Sequence, residues 1–187
     1  MMNRQTLPLR IVVCFAVFLI LLVFAIVGLK LLYPFPYRNA ILASAKLYEL
    51  DVHLLLSVIR TESRFRQQAV SPVGAIGLMQ IMPTTGAWIA DKKGIQDFHA
   101  DDLYDPETNI HLGSWYLHYL IERFTDIETA LAAYNAGPGA VDRWAESKGE
   151  MFSETAQFVR RVRKAESVYR NLYTLPVLRC LLLAMPS

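Results

Sequence analysis

Residues 51–83 read DVHLLLSVIRTESRFRQQAVSPVGAIGLMQIMP, and the pattern changes character at Ser63. Before that point apolar side chains recur at helical spacing. Leu55, Val58, Ile59 and Glu62 stand at i, i+3, i+4 and i+7 and so share one face of a helix. Asp51 offers a side-chain acceptor to its first turn. After Ser63 the chain carries Gly74 and Gly77 in a loop over 71–81, which leads into a short apolar turn. Pro83 then suits the first turn of a further helix, expected to reach residue 90.

A carboxylate that continues a core-facing stripe is unusual, because burying its charge is costly. Two readings follow for Glu62. Burial would raise its pKa and favour the protonated form, which a general acid needs near neutral pH. Alternatively the side chain swings into solvent and pairs with Arg60, Arg64 or Arg66, the commoner fate of a surface glutamate. Spacing alone leaves both open.

Downstream the pattern stays helical. Asp105-Pro106-Glu107 signals the start of a helix ending near Phe124, with an apolar stripe of Ile110, Leu117, Leu120, Ile121 and Phe124. Residues 129–136 read as a helix that stops at Gly137-Pro138-Gly139. A last long helix opens near Ser153, with Phe158, Val162, Ala165, Tyr169 and Leu172 at alternating spacings of four and three. A helix over 38–49 precedes the central stretch. No convincing strand alternation is present, although a short hairpin is compatible with the loop. The fold class expected is mainly α, over residues 37–175.

Upstream, residues 11–29 read IVVCFAVFLILLVFAIVGL without a charge. About 19 residues at 1.5 Å rise span roughly 28 Å, close to a hydrocarbon core. The small-residue triplet Ala43-Ser44-Ala45 lies too far on to be an ordinary cleavage site, so an uncleaved transmembrane signal anchor is favoured over a cleaved signal. Residues 1–10 then form a short cytoplasmic tail. Residues 30–36, with Tyr33-Pro34-Phe35-Pro36, form a stiff linker. Flanking charges, Arg4 and Arg10 against Lys30 and Arg38, tie in the positive-inside count. Residues 176–187 are an apolar tail too short to span and of unassigned role.

The 187 residues carry 19 Lys and Arg against 17 Asp and Glu, a formal net charge of +2. With no basic stretch interleaved with stacking aromatics, nothing points to nucleic acid. Cys14 and Cys180 are the whole thiol inventory, too few and too separated for a disulfide framework or a thiolate metal site. His111 and His118 lie seven apart on one helix without an obvious third ligand, so neither metal nor cofactor is expected. Trp88, Trp115 and Trp144 read more readily as core than as sugar platforms. Asp101, Asp102 and Asp105 read as loop and cap residues.

Several separate segments together carry a more specific signal. Glu62-Ser63-Arg64-Phe65, Ser71-Pro72-Val73-Gly74-Ala75 and Gly77-Leu78-Met79-Gln80-Ile81-Met82-Pro83 are followed by Asn109-Ile110 with Gly113 and Tyr116-Leu117. Ala133-Tyr134-Asn135-Ala136-Gly137-Pro138-Gly139 and Ser153-Glu154-Thr155 with Phe158-Val159 and Val162 complete the series. In this order they resemble the catalytic domain of soluble-type lytic transglycosylases, relatives of goose-type lysozyme, over nearly all of the chain outside the apolar run.

The resemblance implies a lysozyme-like, goose-type helical domain preceded by one transmembrane helix, and a lyase acting on peptidoglycan with a single catalytic glutamate, Glu62. The bond implied is the β-1,4 link between N-acetylmuramic acid and N-acetylglucosamine, closed as a 1,6-anhydro product. Substrate contacts are implied for Ser71, Gln80, Met82, Tyr134, Asn135 and Glu154, with Gly74 and Gly77 bringing backbone close to sugar. Each has a plainer reading: a turn serine, a solvated amide, a core methionine or tyrosine, a helix-end asparagine, an acid favoured by the helix dipole. Phe158 departs from the family's frequent tyrosine. The partners implied are peptidoglycan glycan strands and the cytoplasmic membrane, with the catalytic domain on the extracytoplasmic side; no protein partner is indicated. A hydrolytic muramidase and a non-catalytic glycan binder are the alternatives.

Overall fold

Helix caps written in the sequence set most element boundaries in the computed structural model, which describes residues 6–147 and 151–174. The chain divides into two units, Met1–Pro34 and Phe35–Ser187. The first contains α1 (Thr6–Leu32), longer at both ends than the uncharged run: Pro8 falls in its first turn, where proline is tolerated, and no further proline intervenes before Pro34. Its stretch Arg10–Leu32 contains an 18-residue window of mean hydropathy 3.3 and is long and apolar enough to cross a membrane. The tail from residue 175 onward lies outside the described residues.

The second unit is built from α2 (Arg38–Leu47), α3 (Val52–Glu62), α4 (Pro83–Lys93), a 3-10 turn (Ala100–Tyr104), α5 (Pro106–Phe124), α6 (Ile127–Ala136), α7 (Pro138–Ser147) and α8 (Ser153–Thr174). It is mainly α, as expected. The β structure among the described residues is two isolated bridges, Val70 with Ile76 and Ile76 with Ile81. Asp51 caps α3 by accepting from the His53 and Leu54 amides at 2.7 and 3.2 Å. Asp105 caps α5 by accepting from the Thr108 amide at 2.8 Å.

Two elements differ from the sequence reading. Residues 100–104 form a 3-10 turn where a loop was expected, with Asp102 accepting from the His99 amide at 2.8 Å. Gly137-Pro138-Gly139 ends one helix and also begins another. Gly137, at φ +84°, closes α6, and Pro138 opens α7, because proline lacks the N–H that a first helical residue leaves unused.

α5 is the central helix: α2, α4, α6 and the 3-10 turn all pack on it. α3 lies along α8, with Leu54, Leu55, Leu56, Val58 and Ile59 buried on the one and Phe158, Val162, Ala165, Tyr169 and Leu172 on the other. Arg170 of α8 adds an ion pair to Asp51 at 3.0 Å. This packing fixes the end of α3, where Glu62 sits.

Candidate active site

Glu62 is the last residue of α3, so the core stripe beneath it delivers its carboxyl to the helix end. Burial lifts its pKa from 4.5 to about 8, against the opposing charge of Arg161 on α8. Among the described residues Glu62 makes no ion pair. The cation that acts on it therefore comes from α8, and Arg66 instead donates to the Ser63 carbonyl at 3.1 Å. Of the two readings left open by spacing, the raised pKa matches a desolvated carboxyl, on a side chain that is half-buried.

The next residue, Ser63, is buried and donates from Oγ to the Leu78 carbonyl at 2.7 Å. That bond ties the end of α3 to the loop over 69–81. Within the loop the Ala75 amide donates to Ser71 Oγ at 2.9 Å, and the Ser71 amide donates to the Ala75 carbonyl at 2.9 Å. Gln80 adopts φ +50° and donates from Nε2 to the Ala69 and Gly77 carbonyls at 3.1 and 2.8 Å. Its amide nitrogen is thus spent inside the protein, leaving Oε1 as the group able to meet a ligand.

The loop is held from below by Asn109, which is fully buried on α5. Its Nδ2 donates to the Ile76 and Leu103 carbonyls at 3.0 and 2.8 Å, and its Oδ1 accepts from the Met79 amide at 2.7 Å. A Cβ on Gly77 would lie 2.3 Å from Asn109 Nδ2. Gly77 therefore makes room for Asn109 rather than for sugar, which corrects the expectation for that residue. On the same helix, a Cβ on Gly113 would lie 2.5 Å from the sulfur of buried Met79.

Tyr134, near the end of α6, donates from its hydroxyl to the Met79 carbonyl at 2.8 Å. Its pKa stands well above the ordinary value, through burial first and then the charge of Glu62, so it remains a neutral phenol. Met79 is thereby gripped at its amide by Asn109 and at its carbonyl by Tyr134. Met82 and Asn135 are exposed, and Glu154 is exposed in the first turn of α8. Among the described residues no hydrogen bond or ion pair joins Asn135 or Glu154 to Glu62. The structure thus ties Met79 to Asn109 and Tyr134, and Leu78 to Ser63 beside Glu62, and places Ser71 and Gln80 in the same loop. Of the acids able to act as a second carboxylate, Asp102 and Asp105 serve helix starts.

Asn109 entered the sequence reading only as part of a family motif, without a role, and Arg161 was not singled out. His111, set aside there, shares a hydrogen bond with the Tyr48 hydroxyl at 3.0 Å, and that oxygen also accepts from Lys93 at 2.9 Å.

Residues 39–156 match the family model for the transglycosylase SLT domain. The chain belongs to this family. It is 34% identical over 152 residues to the soluble lytic murein transglycosylase of Salmonella typhimurium, covering 74% of this chain and 24% of that protein. It is 35% identical over 148 residues to the membrane-bound lytic murein transglycosylase C of Haemophilus influenzae, covering 74% of this chain and 40% of the relative. The SLT fold is also seen in an inactive glutamate-to-glutamine mutant of the lytic transglycosylase of Pseudomonas aeruginosa. The TM-score is 0.70 at 33% identity, covering 76% of this chain and 25% of that one. The chain spans about a quarter of the length of the soluble relatives.

Proposed function

We propose that this SLT domain cleaves the glycan strands of peptidoglycan at the β-1,4 bond between N-acetylmuramic acid and N-acetylglucosamine, with Glu62 as its single acid and base. The observation that carries the reading is a lone carboxyl at the end of a buried helix stripe, raised to about 8 and therefore mostly protonated at neutral pH. The relatives are named as lytic murein transglycosylases, and a glutamate-to-glutamine change inactivates one of them.

The chemistry follows from having one acid. Neutral Glu62 donates its proton to the glycosidic oxygen as the bond to the anomeric carbon breaks. The neighbouring N-acetyl carbonyl supports the positive charge developing there. Ionised Glu62 then takes the proton of the muramic acid's own 6-hydroxyl as that oxygen bonds to the anomeric carbon. The product is a 1,6-anhydro sugar, Glu62 is protonated again, and no water is consumed. An internal nucleophile has a high effective molarity, so this closure competes well with water. A hydrolase ordinarily brings a second carboxylate to the site.

The frame of Asn109, Met79 and Tyr134 holds the loop beside Glu62, so that Tyr134 acts as a positioning residue. Ser71, Gln80 through Oε1, Met82, Asn135 and Glu154 are assigned to the sugar-facing surface. The helix Arg10–Leu32 serves as a membrane anchor, with the catalytic domain outside the cytoplasmic membrane, where the polymer lies. Cell fractionation with N-terminal sequencing checks the anchor: a soluble species lacking residues 11–29 contradicts it.

Digestion of purified peptidoglycan in ¹⁸O-water, followed by mass spectrometry, tests the reaction. Unlabelled 1,6-anhydro ends are expected. Labelled reducing ends would assign a hydrolytic muramidase, and no products at all would assign a glycan-binding protein.

A further inference from the structure

The N-terminal half of α5 carries different chemistry on two faces. At about 100° per residue, Glu107 and His111 stand roughly 200° round the helix from Asn109 and Gly113. Asn109 and Gly113 meet Met79 of the loop beside the candidate active site. Glu107 and His111 instead border a hollow of about 540 Å³ against α2, where Asn39 and Ser44 add polar groups and Ile95 and Leu112 add apolar wall. That volume suits a small ligand. Neither Glu62 nor any residue of the loop over 69–81 lines it.

The polar groups of this wall are left over from folding. Ser44 is 5% exposed, yet its hydroxyl has no hydrogen-bond partner among the described residues. By contrast, the buried hydroxyls of Ser57 and Ser63 donate to the Leu54 and Leu78 carbonyls, both at 2.7 Å. A buried hydroxyl without a partner costs stability, so it calls for a reason. Glu107 makes no ion pair or hydrogen bond among the described residues, whereas Asp105 spends its carboxylate on the Thr108 amide at 2.8 Å. The Tyr48 oxygen accepts from Lys93 at 2.9 Å, so its own proton goes to His111 at 3.0 Å. Burial, and then the charge of Lys93, hold the His111 pKa below its ordinary value. The ring is therefore neutral and keeps an N–H on its other nitrogen. Lys93 itself does not line the hollow, and Glu107 is the one formal charge on its described wall.

We propose that the hollow between α2 and α5 binds a primary ammonium on an aliphatic arm, as carried by a lysine-type side chain of a peptide or by a free diamine. Glu107 takes the ammonium, and Ile95 and Leu112 cover the methylenes. Ser44, Asn39 and the His111 N–H are donors for an acceptor on the ligand, such as an amide carbonyl. The site is built without Glu62 or its loop, so it does not rest on the glycan-cleaving reading above.

The test is an NMR titration of the full chain in detergent micelles, with the histidine rings ¹⁵N-labelled and His111→Gln used to assign the His111 signal. The probes are Nα-acetyl-lysine methylamide, the same compound acetylated on its side-chain nitrogen, and 1,5-diaminopentane. The lysine probe should move the His111 signal saturably. Acetylation removes its charge and should weaken binding about fivefold, the scale of one exposed ion pair. Glu107→Gln should weaken binding of the lysine probe by the same factor. Ser44→Ala should weaken it about threefold with an unchanged or higher melting temperature, because no bond within the protein is lost. Tighter binding of the lysine probe than of the diamine supports the site with a peptide as its source; the reverse order supports it with a free diamine. Absence of a saturable shift, equal binding of the acetylated probe, or a Glu107→Gln variant that binds like the parent overturns the proposal. So does a Ser44→Ala variant that melts lower and binds unchanged, since its hydroxyl would then serve the fold.

Discussion

The loop over 69–81 and the aromatic face of α4 and α5 meet the same tyrosine neighbourhood, yet they are built in opposite ways. In the loop, polar groups are spent inside the protein: Ser71, Gln80 and the Met79 peptide all have protein partners at 2.7–3.1 Å. On the aromatic face, the rings of Trp88, Trp115 and Tyr119 touch one another and remain half open. The difference separates two duties. The network of satisfied hydrogen bonds fixes the loop, which Ser63 joins to the end of α3 next to Glu62. The ring face has no such network and leaves aromatic surface uncovered.

The largest expected effect comes from the group that the loop surrounds. Glu62→Gln is nearly isosteric and cannot donate a proton. Turnover of peptidoglycan should fall by at least about 10²–10⁴-fold, the range lost with a general acid. Zymography and product quantification measure it, and activity within a few-fold of the parent would remove Glu62 from the mechanism.

Next in size is a test of how rigid the loop frame is. Gly77→Ala puts a Cβ 2.3 Å from Asn109 Nδ2 and 2.4 Å from the Leu103 carbonyl, at φ +79°. Backbone strain and the broken Asn109 network together should cost about 3–4 kcal/mol. Gly74→Ala meets nothing within 4 Å at φ +86°, so strain acts alone, and about 1 kcal/mol is expected. Denaturant melts of the two variants compare them directly. Equal losses would mean that Asn109 is not the keystone of the loop.

Those two glycines also mark where the sequence was legible and where it was not. The stripe carrying Glu62, the Asp51 and Asp105 caps, and the α8 stripe are local patterns, and they came through with the right faces. Asn109 is different. Its partners are carbonyls and an amide of Ile76, Leu103 and Met79, brought together only by folding, so nothing local marks it as buried. For the same reason Gly77 read as clearance for a ligand when its clearance is for a side chain. Arg161 is hidden in a run of basic residues on α8, and its effect on Glu62 depends on how α8 packs along α3. α7 was missed because one Gly-Pro-Gly signal does two jobs at once.

A third effect concerns what a raised acid does to stability. The folded state holds the Glu62 proton up to about pH 8, whereas the unfolded chain releases it near 4.5. Between those values the native state binds more protons than the unfolded state, so stability falls as pH rises through this window. Glu62→Gln stays neutral and escapes that loss. The variant should match the parent near pH 4.5 and exceed it at pH 8–9, by about 2 kcal/mol after allowing for relaxation around the charge. Thermal melts across pH read the divergence. Parallel curves would mean that Glu62 is not held in a desolvated site, whatever its catalytic role.

The smallest expected effect lies outside the hydrogen-bonded frame, at Arg161. Its positive charge lowers the Glu62 pKa while burial raises it, and burial is the stronger influence. Removing the cation in Arg161→Ala should therefore raise the Glu62 pKa further. Activity that needs protonated Glu62 is lost as pH climbs through that pKa, so the alkaline limb of the rate profile should move upward. Arg161 is exposed, and its influence passes partly through solvent, so the shift should be a fraction of a pH unit. Salt provides an independent reading of the same interaction. In the parent, added salt screens Arg161 and should push the limb upward toward the variant's position; in Arg161→Ala the limb should respond less to salt. A downward shift in the variant would place Arg161 on the substrate rather than on Glu62.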